Sequence, residues 1–264
     1  MNELSISGVV IRETPIKDTD KIITVLTGAL GKISVLAKGV KNIKSKNAAG
    51  VQLFCYSEFE LIEKKGLYIL KTAHQKHSFR GLHEEILHFA LASYIVDTAN
   101  TVTNEANDET DALRLVLNTL HVLSEKPDTP LPLVKSAYEL KLMQICGYLP
   151  ELSYCQVCAC DLPENEPCYF SFSEGCVSCS ECTKNAFLSG NEIPDTLKLS
   201  YPVIQAMRFI CESELSRFLS FRLDKSFLNE LSLVTEKYLL YRTERGFETL
   251  KIYKNMAKSI GETY

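Results

Sequence analysis

The chain has 264 residues, of which 45% are hydrophobic and 23% are charged, and its net charge is −4. These values are typical of a globular protein with one large domain or two smaller ones. The opening MNELSISGVV has no basic segment and no long apolar segment, so we predict no signal peptide. No stretch approaches the ~18 apolar residues of a membrane helix. We therefore expect a cytoplasmic protein with no membrane partner.

The first 80 residues have the composition of β-strands. β-branched residues dominate SISGVVIRET and DKIITVLT, and three further short runs follow, GKISVLAK, VQLFCYSEFELIE and LYILKTAH. Five strands in about 75 residues fit a small closed barrel, which leaves no exposed sheet edge. The strand count fits a five-stranded oligonucleotide-binding (OB) barrel better than an SH3-like barrel, the competing option.

After Gly81 the periodicity becomes helical. LPLVKSAYELKLMQICG ends in Gly147, a residue suited to the cap that closes a helix. Two more helical segments, SYPVIQAMRFICES and DKSFLNELSLVTEKYLLYRTE, follow an insert at 151–195 that is rich in Pro, Glu, Asn and Ser. We predict an α+β, multi-domain chain, with an OB-fold domain at 1–80 and a helical domain at 81–264 that carries the insert.

The insert contains two pairs of cysteines with metal-ligand spacing. Cys155 and Cys158 form one C-x₂-C pair, and Cys179 and Cys182 form another after 20 intervening residues. In a cytosolic chain of this length, such pairs indicate a metal site rather than disulfides. Two tight turns can present four thiolates to one zinc ion in a closed tetrahedral shell. We therefore predict one structural zinc per chain, held by a zinc finger at 151–195, with no open position for catalysis.

Three further cysteines of the insert leave alternatives to this ligand set, namely Cys160, Cys168 and Cys176. Cys176 and Cys179 form a second register of the same C-x₂-C motif. We favour Cys179 with Cys182, because Gly175 then precedes the ligand turn as a hinge. The alternative to a metal site is a reduced, thiol-rich loop without metal.

Positive charge is concentrated at the start of the chain. Residues 1–80 carry 13 Lys and Arg against 7 Asp and Glu, a net of +6, and the remainder has a net of −10. LAKGVKNIKSKNAAG contains four lysines and no acid, and its Gly, Asn and Ser predict a flexible loop between two strands. Such a loop can follow a phosphate backbone. The predicted DNA-binding residues are Lys38, Lys41, Lys44 and Lys46, extended by Lys32, Lys17, Lys21 and Arg12.

Aromatic residues follow the lysines, but no catalytic motif does. The bases of single-stranded nucleic acid can stack on aromatic side chains. For any one of Phe54, Tyr56, Phe59 and Tyr68, however, a place in the barrel core is the commoner role. GALGKIS has two residues between its glycines where a phosphate-binding loop has four, and HEEILH lacks the histidine spacing of a zinc protease. We therefore expect a binding protein and not an enzyme.

The order of these features resembles the RecO family of bacterial recombination mediators. The matching segments are GVVIRETPIKDTDKIITVLTGALGKISVLAKGVK, LKLMQICGYLPELSYCQVC, FSFSEGCVSCSEC and EKYLLYRTERGFETLKIY, which together span nearly the whole chain. Cys176 stands where the family commonly has a second glycine, which supports leaving it out of the ligand set. The segment YRTERGFETL is a loose version of the family's closing segment.

The resemblance implies an N-terminal OB fold followed by a helical domain with a zinc finger. It implies a DNA repair and recombination mediator of the DNA damage (SOS) response that binds single- and double-stranded DNA and anneals complementary strands. With RecR as partner, such proteins help to load RecA onto DNA covered by single-strand-binding protein, whose acidic C-terminal tail they contact. We expect a nucleoid-associated cytoplasmic protein. The alternative function is a zinc-stabilised adaptor that binds only proteins.

Overall fold

The described chain forms two compact units. The computed structural model describes residues 2–16, 18–64, 66–189 and 195–261. One unit contains residues from 2–128 and 247–261, and the other contains residues from 129–246. These units are defined by spatial compactness. The predicted domains at 1–80 and 81–264, which rest on the change in periodicity, stay predictions.

The first unit is built on a closed five-stranded barrel. Its strands are β1 (Asn2–Pro15), β2 (Lys21–Thr27), β3 (Lys32–Ala37), β4 (Tyr56–Lys64) and β5 (Leu67–His77). They pair in the order β1-β2-β3-β5-β4, and β4 pairs with β1 to close the barrel. The β3–β5 pair is parallel and the other pairs are antiparallel. This is the arrangement of an OB fold, so the predicted fold class is confirmed.

Alternating apolar residues of the five strands fill the barrel. Val10, Ile23, Val35 and Phe59 are among the buried side chains of this core. β1 and β2 approach each other closely at Gly8, where an added Cβ would lie 2.5 Å from Val25 Cγ1 and 2.6 Å from the carbonyl oxygen of the next residue. Only glycine therefore fits this position without a shift of the strands.

Three α-helices and a short 3₁₀ helix complete the described part of the first unit. A short 3₁₀ helix (Arg80–His83) leads into α1 (Ile86–Val102) and α2 (Thr110–Glu125), while α7 (Glu248–Ser259) comes from the end of the chain. α1 packs against β1, α2 and α7. Because it has neighbours on several sides, α1 buries ten of its residues, including Tyr94, whose ring makes an edge contact with Phe247 at 5.8 Å.

The second unit combines helices with a small sheet. α3 (Leu131–Ile145) packs against α5 (Tyr201–Glu212) and α6 (Lys225–Thr243). The sheet has the order β7-β6-β8, with β6 (Cys168–Ser171), β7 (Cys176–Cys179) and β8 (Thr196–Leu199), and α4 (Ser180–Leu188) follows β7. Across the described residues, no helix combines the length and apolar character needed to cross a membrane.

α3 ends as predicted and carries two buried lysines. Gly147 has φ 86°, and the N–H of the residue after it donates to the Met143 carbonyl at 2.8 Å, which closes the helix with a Schellman motif. Lys135 Nζ lies 3.0 Å from Glu139 Oε1 and 3.0 Å from Glu236 Oε2. Lys141 donates to two backbone carbonyls at the end of α5, and burial lowers its pKa.

Candidate metal centre and nucleic-acid interface

The first cysteine pair lies in a tight turn before β6. The Cys155 N–H donates to the Cys160 carbonyl at 2.9 Å, and the Ala159 N–H donates to the Cys155 carbonyl at 2.8 Å. Ala159 has φ 55°, a left-handed conformation that is uncommon for alanine and bends the chain back on itself. The turn therefore brings the thiols of Cys155 and Cys158 toward the same point.

The second pair lies where β7 passes into α4. Cys179 is the last residue of β7 and the N-cap of α4, and Cys182 lies in the first turn of that helix. The Gln156 N–H donates to the Val177 carbonyl at 3.0 Å and so ties the first turn to β7.

Four sulfurs in the described chain lie close enough to hold one metal ion. The Sγ atoms of Cys155, Cys158, Cys160 and Cys179 are all within 4.8 Å of one another. Tetrahedral Zn–S bonds of about 2.3 Å place two sulfurs about 3.8 Å apart. The Cys158–Cys179 separation of 4.0 Å fits this geometry. The Cys158–Cys160 separation of 3.0 Å is too short for two ligands of one zinc ion. The all-thiol donor set otherwise suits zinc.

Cys182 is a fifth thiol at this site. Hydrogen bonding with Cys158 raises the pKa of Cys182, and burial and hydrogen bonds with Cys179 and Cys155 raise it further. Its sulfur therefore lies within reach of the three other predicted ligands. The structure groups three of the predicted ligands with Cys160. Cys182, the fourth predicted ligand, lies beside that group, so Cys160 and Cys182 compete for one position. The ligand set of Cys155, Cys158, Cys179 and Cys182 stays a prediction.

Hydrogen bonding between two of these thiols separates their pKa values. The hydrogen bond with Cys160 lowers the pKa of Cys158 to about 6, and the same bond raises the pKa of Cys160 to about 12. Burial acts to raise the pKa of Cys155, but hydrogen bonds from three backbone N–H groups, that of Cys179 among them, turn the net shift downward. Cys155 and Cys158 are therefore the thiols best prepared to bind a metal as thiolates.

Cys168 and Cys176 are buried residues of the small sheet. Cys168 pairs with Cys179 across β6 and β7, and Cys176 is the first residue of β7. Burial raises the pKa of Cys168 to about 11 and also raises the pKa of Cys176. Buried, protonated thiols suit packing. Their assignment as bystanders stays a prediction.

The lysine loop, residues 38–55 between β3 and β4, is anchored to the barrel. Val40 and Val51 are buried in the barrel core. The Gly39 N–H donates to Asp20 Oδ1 at 2.8 Å, and Asn47 bonds to the backbone of β5 at Lys71 and Ala73. Buried valines and side-chain hydrogen bonds therefore anchor the loop at several positions, and its predicted flexibility stays a prediction. The four lysines of the loop, Lys38, Lys41, Lys44 and Lys46, are exposed.

The other predicted DNA-binding residues have different surroundings. Lys21 forms an ion pair with Glu13. Lys32 Nζ donates to the Asn100 carbonyl at 2.7 Å. Arg12 is exposed, and Lys17 lies outside the described residues. Lys21 and Lys32 thus already have partners within the chain, a fact that sequence spacing does not reveal, and all eight assignments stay predictions.

The aromatic residues near the loop are mainly part of the core. Phe54 and Phe59 are fully buried, so neither ring offers a face to a base. Tyr56 and Tyr68 are half-buried, and Tyr68 packs against the barrel core. Base stacking on the two phenylalanines is therefore excluded in this conformation.

The barrel surface is divided by charge. Outward residues of β1, β4 and β5 pair acids with lysines, as in Lys71–Glu3 at 3.0 Å and Lys76–Glu58 at 3.4 Å. The lysine loop contains no acidic residue in its 18 positions, 38–55. The unbalanced positive charge of this barrel is therefore concentrated at the loop, where it attracts a polyanion.

Comparison with known proteins identifies the family. The family described as "Recombination protein O N terminal" matches residues 1–79, and "Recombination protein O C terminal" matches residues 83–251. The chain belongs to the RecO family of DNA repair proteins. The two matched segments contain the lysine loop and the cysteine cluster, so both candidate sites lie in parts of the chain that follow the family pattern.

Individual relatives agree over almost their full length. The DNA repair protein RecO of Acetivibrio thermocellus is 34% identical over 97% of this chain and 98% of the relative. The RecO protein of Symbiobacterium thermophilum is 29% identical over 93% of this chain and 94% of its own. The RecO protein of Alkaliphilus metalliredigens is 27% identical over 94% of this chain and 98% of its own. The chain therefore contains both halves of a RecO-type protein.

Proposed function

We propose that this protein binds single- and double-stranded DNA through the lysine loop and acts as a recombination mediator in DNA repair. The supporting observation is an anchored loop with four exposed lysines and no acid, on an OB barrel of a RecO-family chain. Lysine contacts to phosphates supply affinity but little sequence preference. Such binding suits a protein that must act on any damaged sequence.

The same surface supports strand annealing. Two complementary strands repel each other, and lysines that neutralise part of their charge reduce this repulsion without nucleotide hydrolysis. By its family, we further propose that the protein acts with RecR in loading RecA onto DNA covered by single-strand-binding protein. In this proposal the acidic tail of that protein docks on the helical part of the chain, and the protein works in the cytoplasm at the nucleoid.

The metal has a structural role in this proposal. One zinc ion per chain, held by Cys155, Cys158, Cys179 and Cys182, would occupy a closed shell of four thiolates. A closed shell has no position for water or substrate, so its contribution is to fold the insert. DNA handling is assigned to the barrel and not to the zinc site.

The test is fluorescence anisotropy with a labelled oligonucleotide across a range of salt. Replacing Lys38, Lys41, Lys44 and Lys46 by Ala should weaken binding and reduce the log–log salt slope by roughly 0.7 to 0.9 for each lost phosphate contact. The matched control removes four lysines outside the loop (Lys71, Lys76, Lys251 and Lys258) and should leave the slope nearly unchanged. An equal loss of slope in both variants would remove the loop from the proposal.

A zinc-stabilised adaptor that binds only proteins is the second candidate. The net charge of −10 outside residues 1–80 favours it, because an acidic surface suits protein partners better than DNA. Absence of oligonucleotide binding by the wild-type protein at low salt would support the adaptor and contradict DNA binding.

A further inference from the structure

The tip of the lysine loop is a tight turn with an apolar side chain at its apex. The Ser45 N–H donates to the Asn42 carbonyl at 2.9 Å, which closes a β-turn around Ile43 and Lys44. Ile43 is fully exposed, more than any other large apolar side chain that the structure describes. Central turn positions favour Gly, Pro, Asn, Asp or Ser. Turn geometry therefore gives no reason for an isoleucine.

The surroundings of Ile43 define what it can contact. Lys41, Lys44 and Lys46 are also exposed, and the buried Val40 and Val51 anchor the loop on either side. A fully exposed side chain gains nothing from the fold itself, since apolar surface is stabilised by removal from water. An apolar tip among ammonium groups therefore suits a ligand with both anionic and apolar parts. Unpaired nucleotides have both.

We propose that Ile43 contacts the bases of single-stranded DNA and gives the lysine loop a preference for unpaired nucleotides. This inference rests on the proposed DNA binding. The lysines contact phosphates of the strand, and Ile43 covers the face of an adjacent base. In a duplex the bases are already stacked, so an apolar wedge must first separate a base step at a cost in free energy. The contact therefore favours single strands over duplex.

Substitution of Ile43 separates base contacts from phosphate contacts. Ile43→Ser should lower affinity for an oligothymidylate about three- to tenfold, the range expected for losing part of one buried aliphatic side chain. Its affinity for duplex DNA and its salt slope should match the wild type. Ile43→Leu should retain wild-type affinity for the single strand. Ile86→Ser is the matched control, because Ile86 is also exposed but lies beside Glu84 and Glu85 at the start of α1.

A strand without bases tests the contact directly. An abasic oligonucleotide has the same phosphates as the oligothymidylate, so the difference between wild type and Ile43→Ser should disappear on it. Equal thermal melting of the three variants and the wild type would show that the folds are intact, as expected for exposed positions.

The outcomes distinguish this inference from the function on which it rests. If the wild type binds no oligonucleotide, DNA binding and the base contact both fail. If binding depends on the four loop lysines but Ile43→Ser costs nothing on oligothymidylate, the base contact is refuted and DNA binding stands. A loss of equal size on the abasic strand or on duplex would also refute the base contact and leave DNA binding intact.

Discussion

The cysteine insert and the lysine loop are both irregular segments, and each is held in place differently. The loop is fixed by two valines in the barrel core and by the side-chain hydrogen bonds of Asn47. In the insert, two turns and a short sheet converge on a cluster of thiols. A loop anchored by a hydrophobic core leaves its charged side chains available for a ligand. A segment organised around thiols uses those side chains for its own structure.

Two lysines of the chain also differ in their surroundings, one exposed and one buried. Lys41 in the loop is exposed, whereas Lys135 on α3 is buried between Glu139 and Glu236. An exposed lysine adds to the long-range attraction of a polyanion. A buried lysine neutralises carboxylates that would otherwise be costly in a low-dielectric interior. Residue type alone therefore does not assign a role in this chain.

The largest expected effect separates the metal from DNA binding. Cys155→Ser should release the metal and unfold the insert, since metal-linked folding of such sites contributes on the order of 10 kcal/mol. Elemental analysis and near-ultraviolet circular dichroism would measure the two changes, while the DNA salt slope should be retained. Cys146→Ser, at the end of α3, is the control and should keep its metal. A metal-free, fully folded wild-type protein would show that the insert does not need a metal to fold.

The ligand set can be sharpened with two single substitutions. Cys182→Ser should lower zinc affinity by more than about a hundredfold, beyond the range of a residue that only supports a ligand. Cys160→Ser should have a smaller effect, because its sulfur is too close to that of Cys158 for both to bind one zinc ion. Competition with a chromophoric chelator measures both affinities. The reverse order would place Cys160 in the shell.

A contrast between two lysines tests the role of burial. Lys135→Met should lower the free energy of unfolding by about 3–5 kcal/mol, because two carboxylates lose their buried partner. Lys41→Met should leave it nearly unchanged and weaken DNA binding. Urea denaturation and anisotropy together measure these effects. Equal stability of the two variants would show that the buried network is dispensable.

A smaller effect is expected from crowding in the barrel. Gly8→Ala should cost about 1–3 kcal/mol, because its Cβ meets Val25 and the β2 backbone. The zinc content should not change. Gly246→Ala has no neighbour within 4 Å of the new Cβ and should stay within about 1 kcal/mol of wild type. Thermal unfolding of both variants provides the measurement, and a neutral Gly8→Ala would contradict the close strand approach.

The sequence by itself determined the features that depend on short-range pattern. β-branched alternation indicated five strands, and Gly147 marked the end of α3, because strand and helix periodicity and the left-handed cap are local properties. The two C-x₂-C pairs predicted a thiol cluster because their spacing fits turns that present sulfur to one point. The acid-free lysine run predicted an exposed basic loop, because charged side chains rarely leave water unpaired.

Only the tertiary structure decided the features that depend on residues far apart in the chain. The parallel β3–β5 pair closes the barrel, Asn100 binds Lys32, and Glu236 lies beside Lys135. Cys179 joins the turn of Cys155 and Cys158 because β7 packs beside that turn. Local pattern does not encode these contacts, since each forms only when the packing of whole elements brings distant side chains together.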